Sequence, residues 1–529
     1  MADNEKARRA QEEADWRREW EVKPNALPVP DHYPEAATVQ TPNELIDNSF
    51  TLCKNVLYSF KVTQRGKSIR PYQSAPSYAT DQLAFCFDDR DHQYAFAAAL
   101  CVEPDRKFLK AVARRIVEEE LSRLDDSDGQ YFKFCWPEDL VNYYLYTGDG
   151  SLLSRYRTRL RNLFERIYAR FDPDHDNLVA FEKKHWVFEL GEPPCYADCR
   201  IPFASVPLWV NLRMLYYLKW LSFHAEKANL PDSAFWRMKY DAVARAIERF
   251  WSESDQSYYL EHNADLGKWL FSHQGENERS RPIDGPAFAV AYGLADERKS
   301  HSVCRSLRRL VRELSIFPLP MTYPFDGFSD SLWFVDKSWQ PGYKRGVLAV
   351  ARYGDPDDAA AMVRKMSAQI IFGGDKEPRE WYYLAGGSPA RSAHYPLARG
   401  PYTATAGAHL SAIVEGLFGL RPTEPGFRTV QLAPCFPLEW KQAKIALPLS
   451  DTGALSISYR HEPGRLRVEI TGGRGSRGDF RFRIPAHARP HEVRHNGKPI
   501  PNPRTEKNED ARFVCFSAPL SGSLEVTYR

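Results

Sequence analysis

At 529 residues, the chain is long enough to bury a large core and to divide into more than one domain. Its composition, 43% hydrophobic and 27% charged, is that of a folded globular protein and excludes a disordered or low-complexity chain. A net charge of +3, with lysines and arginines dispersed, excludes the electrostatic footprint of a nucleic-acid binder.

Taken in chain order, residues 1–20 read as a polar helix or frayed arm, and 21–42 as a Pro-rich extended stretch. The N-terminus carries no apolar core of a secretory signal, and no run approaches the roughly 18 apolar residues of a membrane span. The expectation is a cytoplasmic protein. From about residue 43 to 420 the chain reads as amphipathic helices separated by Pro/Gly/Asp turns. Leu109, Val112, Ile116 and Leu121 recur at helical spacing, as do Leu160, Leu163, Phe164 and Ile167. Trp236, Tyr240, Val243, Ile247 and Phe250 form a third such series, with Asp232 or Ser233 to cap its start. Val303, Leu307, Leu310 and Leu314 form a fourth. DPDHDNL (172–178), SDQSYY (254–259) and YGDPDD (353–358) read as turns. DPDHDN resembles the start of a calcium loop but lacks its Gly and its bidentate Glu, so a turn is expected there.

Helices of similar length joined in pairs pack most economically as hairpins in a toroid, and no repeat of fixed period favours a solenoid. After about Phe427 the period changes to two. ALSISYR, RLRVEIT, DFRFRIP, HEVRHNG and GSLEVTYR alternate, separated by turns such as His495–Asn496–Gly497. The expected fold is mainly α: a toroid of helical hairpins over 43–425, preceded by an arm (1–42) and followed by a C-terminal antiparallel β-sandwich (426–529). The sandwich is expected to cover the barrel or to shape its rim.

Aromatic-acid clusters mark the segments between helices. Asp88, Asp89, Arg90 and Asp91 lie between Phe87 and Tyr94, ahead of an apolar helix. Acids at a helix start can be mere caps, but three acids and an arginine suit hydroxyl recognition. Trp186, Glu189, Glu192, Tyr196, Asp198 and Arg200 crowd a loop that Pro193 and Pro194 keep from being helical. Trp339, Tyr343, Lys344 and Arg345 enter another helix, and Trp136 stands beside Glu138 and Asp139. Glu380 is set among Trp381, Tyr382 and Tyr383, before a Gly/Ser/Pro-rich loop carrying His394 and a small-residue helix from Ala404. Rings that cover pyranose faces beside a carboxylate are what sugar cleavage needs.

Other chemistries lack their motifs. No phosphate-binding glycine loop, GxSxG elbow or HExxH is present. The nine cysteines include no CxxC, and Cys195 and Cys199 have no matching His/Cys cluster for zinc. No metal and no cofactor is expected, which leaves paired carboxylates as the strongest catalytic candidates.

At these segments the sequence resembles the six-hairpin, (α/α)6-barrel glycoside hydrolases, a group that includes trehalases, processing α-glucosidases, mannosylglycerate hydrolases and α-L-rhamnosidases. The resemblance covers most of residues 80–445. FCFDDRDHQYAFAAALCVEPD is similar to the group's early WDxxF…A…DP segment, and WQPGYKRGVLAVARYG to its WRGPxWxxxxY…L…YG segment. PCYADCR is similar to SGWDxSxR, whose Asp is the general acid, which implies that role for Asp198 with Arg200 beside it. REWYYLAGG with the following helix resembles xExYNxxTGE…FxWS, whose Glu activates water, which implies that role for Glu380. CYA replaces SGW before the acid, and Tyr402–Thr403 replaces the usual aromatic after the base. In a rhamnosidase-like alignment His92 falls where that group has an acid.

The resemblance implies a glycosidase that cleaves a terminal sugar from an oligosaccharide or glycoside with inversion, Asp198 as general acid and Glu380 as general base. Asp88, Asp89, Arg90, Trp136, Trp186, Glu192, Arg200, Trp339, Tyr343, Arg345, Trp381 and His394 are the candidate sugar-binding residues. Two other readings use the same toroid: a lyase with Tyr196, His92 or His394 as base, and a non-catalytic carbohydrate-binding protein. A carbohydrate is the expected partner, with no nucleic acid and no membrane; assembly of copies of the chain stays open.

Overall fold

The structure, a computed structural model, describes residues 28–59, 63–64, 68–69, 92–126, 136–181, 204–271, 281–314, 319, 322–323, 337–339, 342–372, 378, 381–383, 403–448, 454–473, 475–508 and 511–529. Twelve α-helices lie among them: α1 (Glu44–Ser59), α2 (His92–Val102), α3 (Arg106–Asp126), α4 (Trp136–Thr147), α5 (Ser151–Phe171), α6 (Leu208–Lys227), α7 (Ser233–Ile247), α8 (Asp284–Ala291), α9 (Glu297–Arg308), α10 (Tyr343–Tyr353), α11 (Pro356–Phe372) and α12 (Thr403–Ser411). The even-numbered helices close a ring, α2 on α4, α4 on α6, α6 on α8, α8 on α10, α10 on α12, and α12 back on α2. The odd-numbered helices pack outside it. This is the (α/α)6 barrel.

The two rings differ as their sequences require. Outer helix α5 buries one stripe, Leu152, Tyr156, Leu160, Leu163, Phe164, Ile167 and Phe171, and leaves its arginines exposed or half-buried. Inner helix α12, TATAGAHLS, is buried at every position, as an inner element must be. Small residues let the inner helices approach closely. A Cβ added to Gly416, in the π-helical turn Ala412–Leu417 that prolongs α12, would meet Val347 Cγ1 of α10 at 2.6 Å.

Asp232 precedes α7 as expected, but its side chain makes no cap bond; its Oδ2 accepts from the Trp236 indole at 3.1 Å. A ring offered one turn away competes successfully with the backbone donors.

The inner helices alternate with outer ones that carry the chain back, so all six run parallel. Their C-terminal ends are joined to the next outer helix by short turns, 103–105, 148–150, 228–232, 292–296 and 354–355. Their N-terminal ends are reached by long connections, 60–91, 127–135, 172–207, 248–283, 314–342 and 373–402. The barrel therefore has a closed end and an open end.

The sandwich has strands β1 (Thr38–Gln40), β2 (Leu420–Pro422), β3 (Thr429–Leu432), β4 (Gln442–Leu447), β5 (Leu455–Glu462), β6 (Arg465–Thr471), β7 (Arg477–Ile484), β8 (Pro490–His495), β9 (Lys498–Pro499), β10 (Arg504–Asn508), β11 (Ala511–Pro519) and β12 (Gly522–Tyr528). One sheet has the order β1-β4-β5-β6-β12-β8-β9 and the other β2-β3-β7-β11-β10. All pairs are antiparallel except β3 with β7. Two strands come from outside residues 426–529. β2 continues from the last helix, and β1 arrives from the Pro-rich stretch to pair with β4, Val39 opposite Ile445. An extended segment with unpaired backbone groups satisfies them at a sheet edge.

The sandwich seats on the closed end. Arg483 of β7 forms a bidentate pair with Asp357 in the first turn of α11, at 2.5 and 2.9 Å. Tyr146 at the end of α4 packs edge-on against Phe427. Gly419, at φ 63°, turns the chain from the barrel into β2 so close to Ala433 that a Cβ would lie 2.0 Å from its carbonyl oxygen. One continuous apolar core runs through both parts. Among the described residues no helix is long and apolar enough to cross a membrane.

Candidate active site

Of the described candidates, Trp339 and Trp381 fall on long connections at the open end, and Trp136, Tyr343 and Arg345 in the first turn of the inner helix that follows such a connection. Asp88, Asp89, Arg90, Trp186, Glu192, Asp198, Arg200, Glu380 and His394 lie outside the described residues. Trp136 is the first residue of α4, and His92 the first of α2.

The described pieces of these connections pair with one another around the rim. Ser205–Pro207 pairs with Glu261–Asn263, Arg281–Pro282 with Thr322–Tyr323, and Lys337–Trp339 with Trp381–Tyr383. Each pair links neighbouring connections, so the open end is tied together by short antiparallel ladders. The last pair joins two segments that are remote in sequence: Trp339 stands opposite Trp381, the residue next to Glu380. Period-two analysis misses these strands because each is only two or three residues long.

Below the rim the N-terminal parts of α6, α8 and α10 share a buried charged cluster. Arg345 Nη1 donates to Asp284 Oδ2 at 2.6 Å, both side chains almost fully buried. The Arg345 guanidinium lies 3.9 Å from the Trp209 ring centre, and that of Arg213 lies 4.6 Å from the same ring. Burial pushes the Asp284 carboxyl up, while Arg345 and Arg213 oppose the rise. Asp284 was not singled out by the sequence, where an acid starting an apolar helix reads as a dipole cap. Its partner lies 61 residues downstream.

Tyr343, two residues earlier on α10, is also fully buried. Its hydroxyl shares a hydrogen bond of 2.6 Å with His409 Nδ1 of α12. His409 Nε2 lies 2.8 Å from Ser49 Oγ of α1, which in turn meets Ser367 Oγ of α11 at 2.9 Å. Burial holds the imidazole down to about 3, so it stays neutral and works as a polar rivet among four helices. Tyr343 and Arg345 thus sit beneath the rim at which Trp339 and Trp381 pair.

No family model matches the sequence, and comparison with the curated proteins finds no match. Solved structures do match the fold. The chain is similar to the α-L-rhamnosidase of Dictyoglumus thermophilum, with TM-score 0.57 and 14% identity over 93% of this chain and 50% of that one. It is similar to the GH78 family rhamnosidase of Bacillus SP. GL1, with TM-score 0.62 and 14% identity over 86% of this chain and 44% of that one. A structure named as a sialidase matches with TM-score 0.61 and 13% identity, over 91% of this chain and 42% of that one. The chain therefore spans about half the length of these structures or less. The barrel-plus-sandwich architecture expected from the sequence is the fold they share.

Proposed function

We propose that the protein is a glycoside hydrolase that removes a terminal sugar from an oligosaccharide or glycoside at the open end of the barrel. Asp198 protonates the leaving oxygen, and Glu380 takes the proton from a water that attacks from the opposite face, so the anomeric configuration inverts. That mechanism needs the two carboxyls roughly 6.5–9.5 Å apart, Asp198 protonated by a poorly solvated setting and Glu380 ionised. The reading rests most on the pairing of Trp339 with Trp381, which holds the strand beside Glu380 against the strand leading into α10. The solved structures that share this fold support it through the activities in their names.

Asp88, Asp89, Arg90, Trp136, Trp186, Glu192, Arg200, Trp339, Trp381 and His394 are proposed to bind the sugar. Arg345 and Tyr343 are assigned a supporting place, because their side chains are buried against Asp284 and His409. The test is a screen of aryl-glycosides and natural disaccharides, with the product anomer followed by NMR. With a confirmed substrate, Asp198→Asn and Glu380→Gln should each lower turnover by about 10²–10⁴-fold while the melting temperature holds. Full turnover in both variants would sink the assignment, and a product with new ultraviolet absorption would make the protein a lyase.

A further inference from the structure

Three carboxylates away from the Asp198–Glu380 pair converge where α5 ends. The chain leaves the helix at Phe171 and turns through Asp172, Asp174 and Asp176. Each presents an oxygen to one small volume, and these oxygens lie within 4.8 Å of one another. Two bonds within the loop explain part of the arrangement. Asn177 N donates to Asp172 Oδ2 at 3.1 Å, and Leu178 N to Asp176 Oδ1 at 2.8 Å. Such bonds occur in ordinary Asp-rich turns and imply no ligand.

What points to a ligand is the other oxygen of Asp172. The residue is only 3% exposed, and its Oδ1 is buried with no hydrogen-bond partner. A buried carboxylate oxygen without a donor is a costly arrangement. Arg249 reaches the loop and pairs with Asp176 Oδ2, not with Asp172 Oδ1. Three carboxylates whose oxygens lie this close repel one another. A cation in that volume would relieve both the bare oxygen and the repulsion.

We propose that Asp172, Asp174 and Asp176 bind a calcium ion. The donor set is entirely carboxylate oxygen, which suits a hard divalent cation, and calcium tolerates the irregular geometry of a loop better than magnesium does. Among the described residues no fourth carboxylate joins the group, so the affinity belongs at the weak end of such loops, about 10⁻⁴–10⁻³ M. The site has a structural consequence. A few residues on, Phe181 and Ser205 exchange backbone bonds of 2.7 and 2.9 Å, closing the base of the connection that carries Asp198. The ion would brace that base.

The test uses the full chain, stripped with chelator and dialysed against millimolar calcium chloride. Metal analysis should find one calcium per chain, and the melting temperature should rise with calcium to saturation. Asp174 is exposed, so Asp174→Asn should fold normally while losing the bound calcium and the rise. Asp172→Asn, which keeps the shape and removes the buried charge, should melt no lower than the stripped wild type and no longer respond to calcium. Wild-type protein holding no more calcium than these variants, or variants that keep the full rise, would overturn the proposal. Neither readout depends on sugar cleavage, so the glycosidase reading can fail without affecting this one.

Discussion

The two ends of the barrel are built from the same twelve helices and differ in what joins them. At the closed end, turns of two to five residues reverse the chain, and the sandwich covers them through Arg483–Asp357, Tyr146–Phe427 and the Gly419 turn. At the open end every inner helix is entered from a long connection, and among the described residues four of those connections pair with their neighbours. Short turns can only close a hairpin, whereas long ones can carry side chains away from the scaffold and hold them over it. The difference teaches that the chemistry should be sought at one end and the stability of the assembled chain at the other. The buried polar groups just below the open rim connect the two roles.

Three changes would break or sharpen this contrast. The largest is Arg345→Met, which leaves Asp284 buried without its closest cation and should cost about 3–5 kcal/mol of unfolding free energy. Denaturant unfolding would measure it, and a loss below a tenth of that would mean that Asp284 is served by other donors. The next is Arg483→Met at the closed end. It removes a bidentate pair whose carboxylate is half exposed, so a loss of about 1.5 kcal/mol is expected, with turnover of a confirmed glycoside unchanged. A large fall in turnover would erase the distinction between the ends.

The smallest at neutral pH concerns His409. Its imidazole is held down to about 3 in the folded protein against an ordinary 6.5. Its contribution is therefore complete above pH 6.5 and is lost progressively as the pH falls from 6.5 towards 3, because the unfolded chain takes up the proton first. Unfolding free energy followed over that range should decline, and His409→Gln should decline less steeply. An identical slope in both would remove His409 from the account.

Much of the architecture is legible in the residues. Leu160, Leu163, Phe164 and Ile167 mark an outer helix, and RLRVEIT marks β6, because one face of each must be apolar at its own period. The candidate segments are legible as places, since Pro193, Pro194 and the glycines after Glu380 forbid regular helix there. What escaped was pairing across distance. The ladders at the rim are too short to show a period. Asp284 carries no mark that distinguishes it from a cap until Arg345 arrives. The DPDHDN turn, which lacks the glycine of a calcium loop, places Asn177 in the left-handed region at φ 68°, a conformation Asn tolerates.

The sequence by itself determined that this is a helical barrel followed by a sandwich, because hydrophobic period and turn chemistry act within a few residues of one another. Only the tertiary structure decided which end is open, that Trp339 faces Trp381, that Asp284 pairs with Arg345, and that Asp172, Asp174 and Asp176 converge. Those outcomes depend on contacts between segments tens to hundreds of residues apart, which are selected by closing the ring and leave no local signal in the chain.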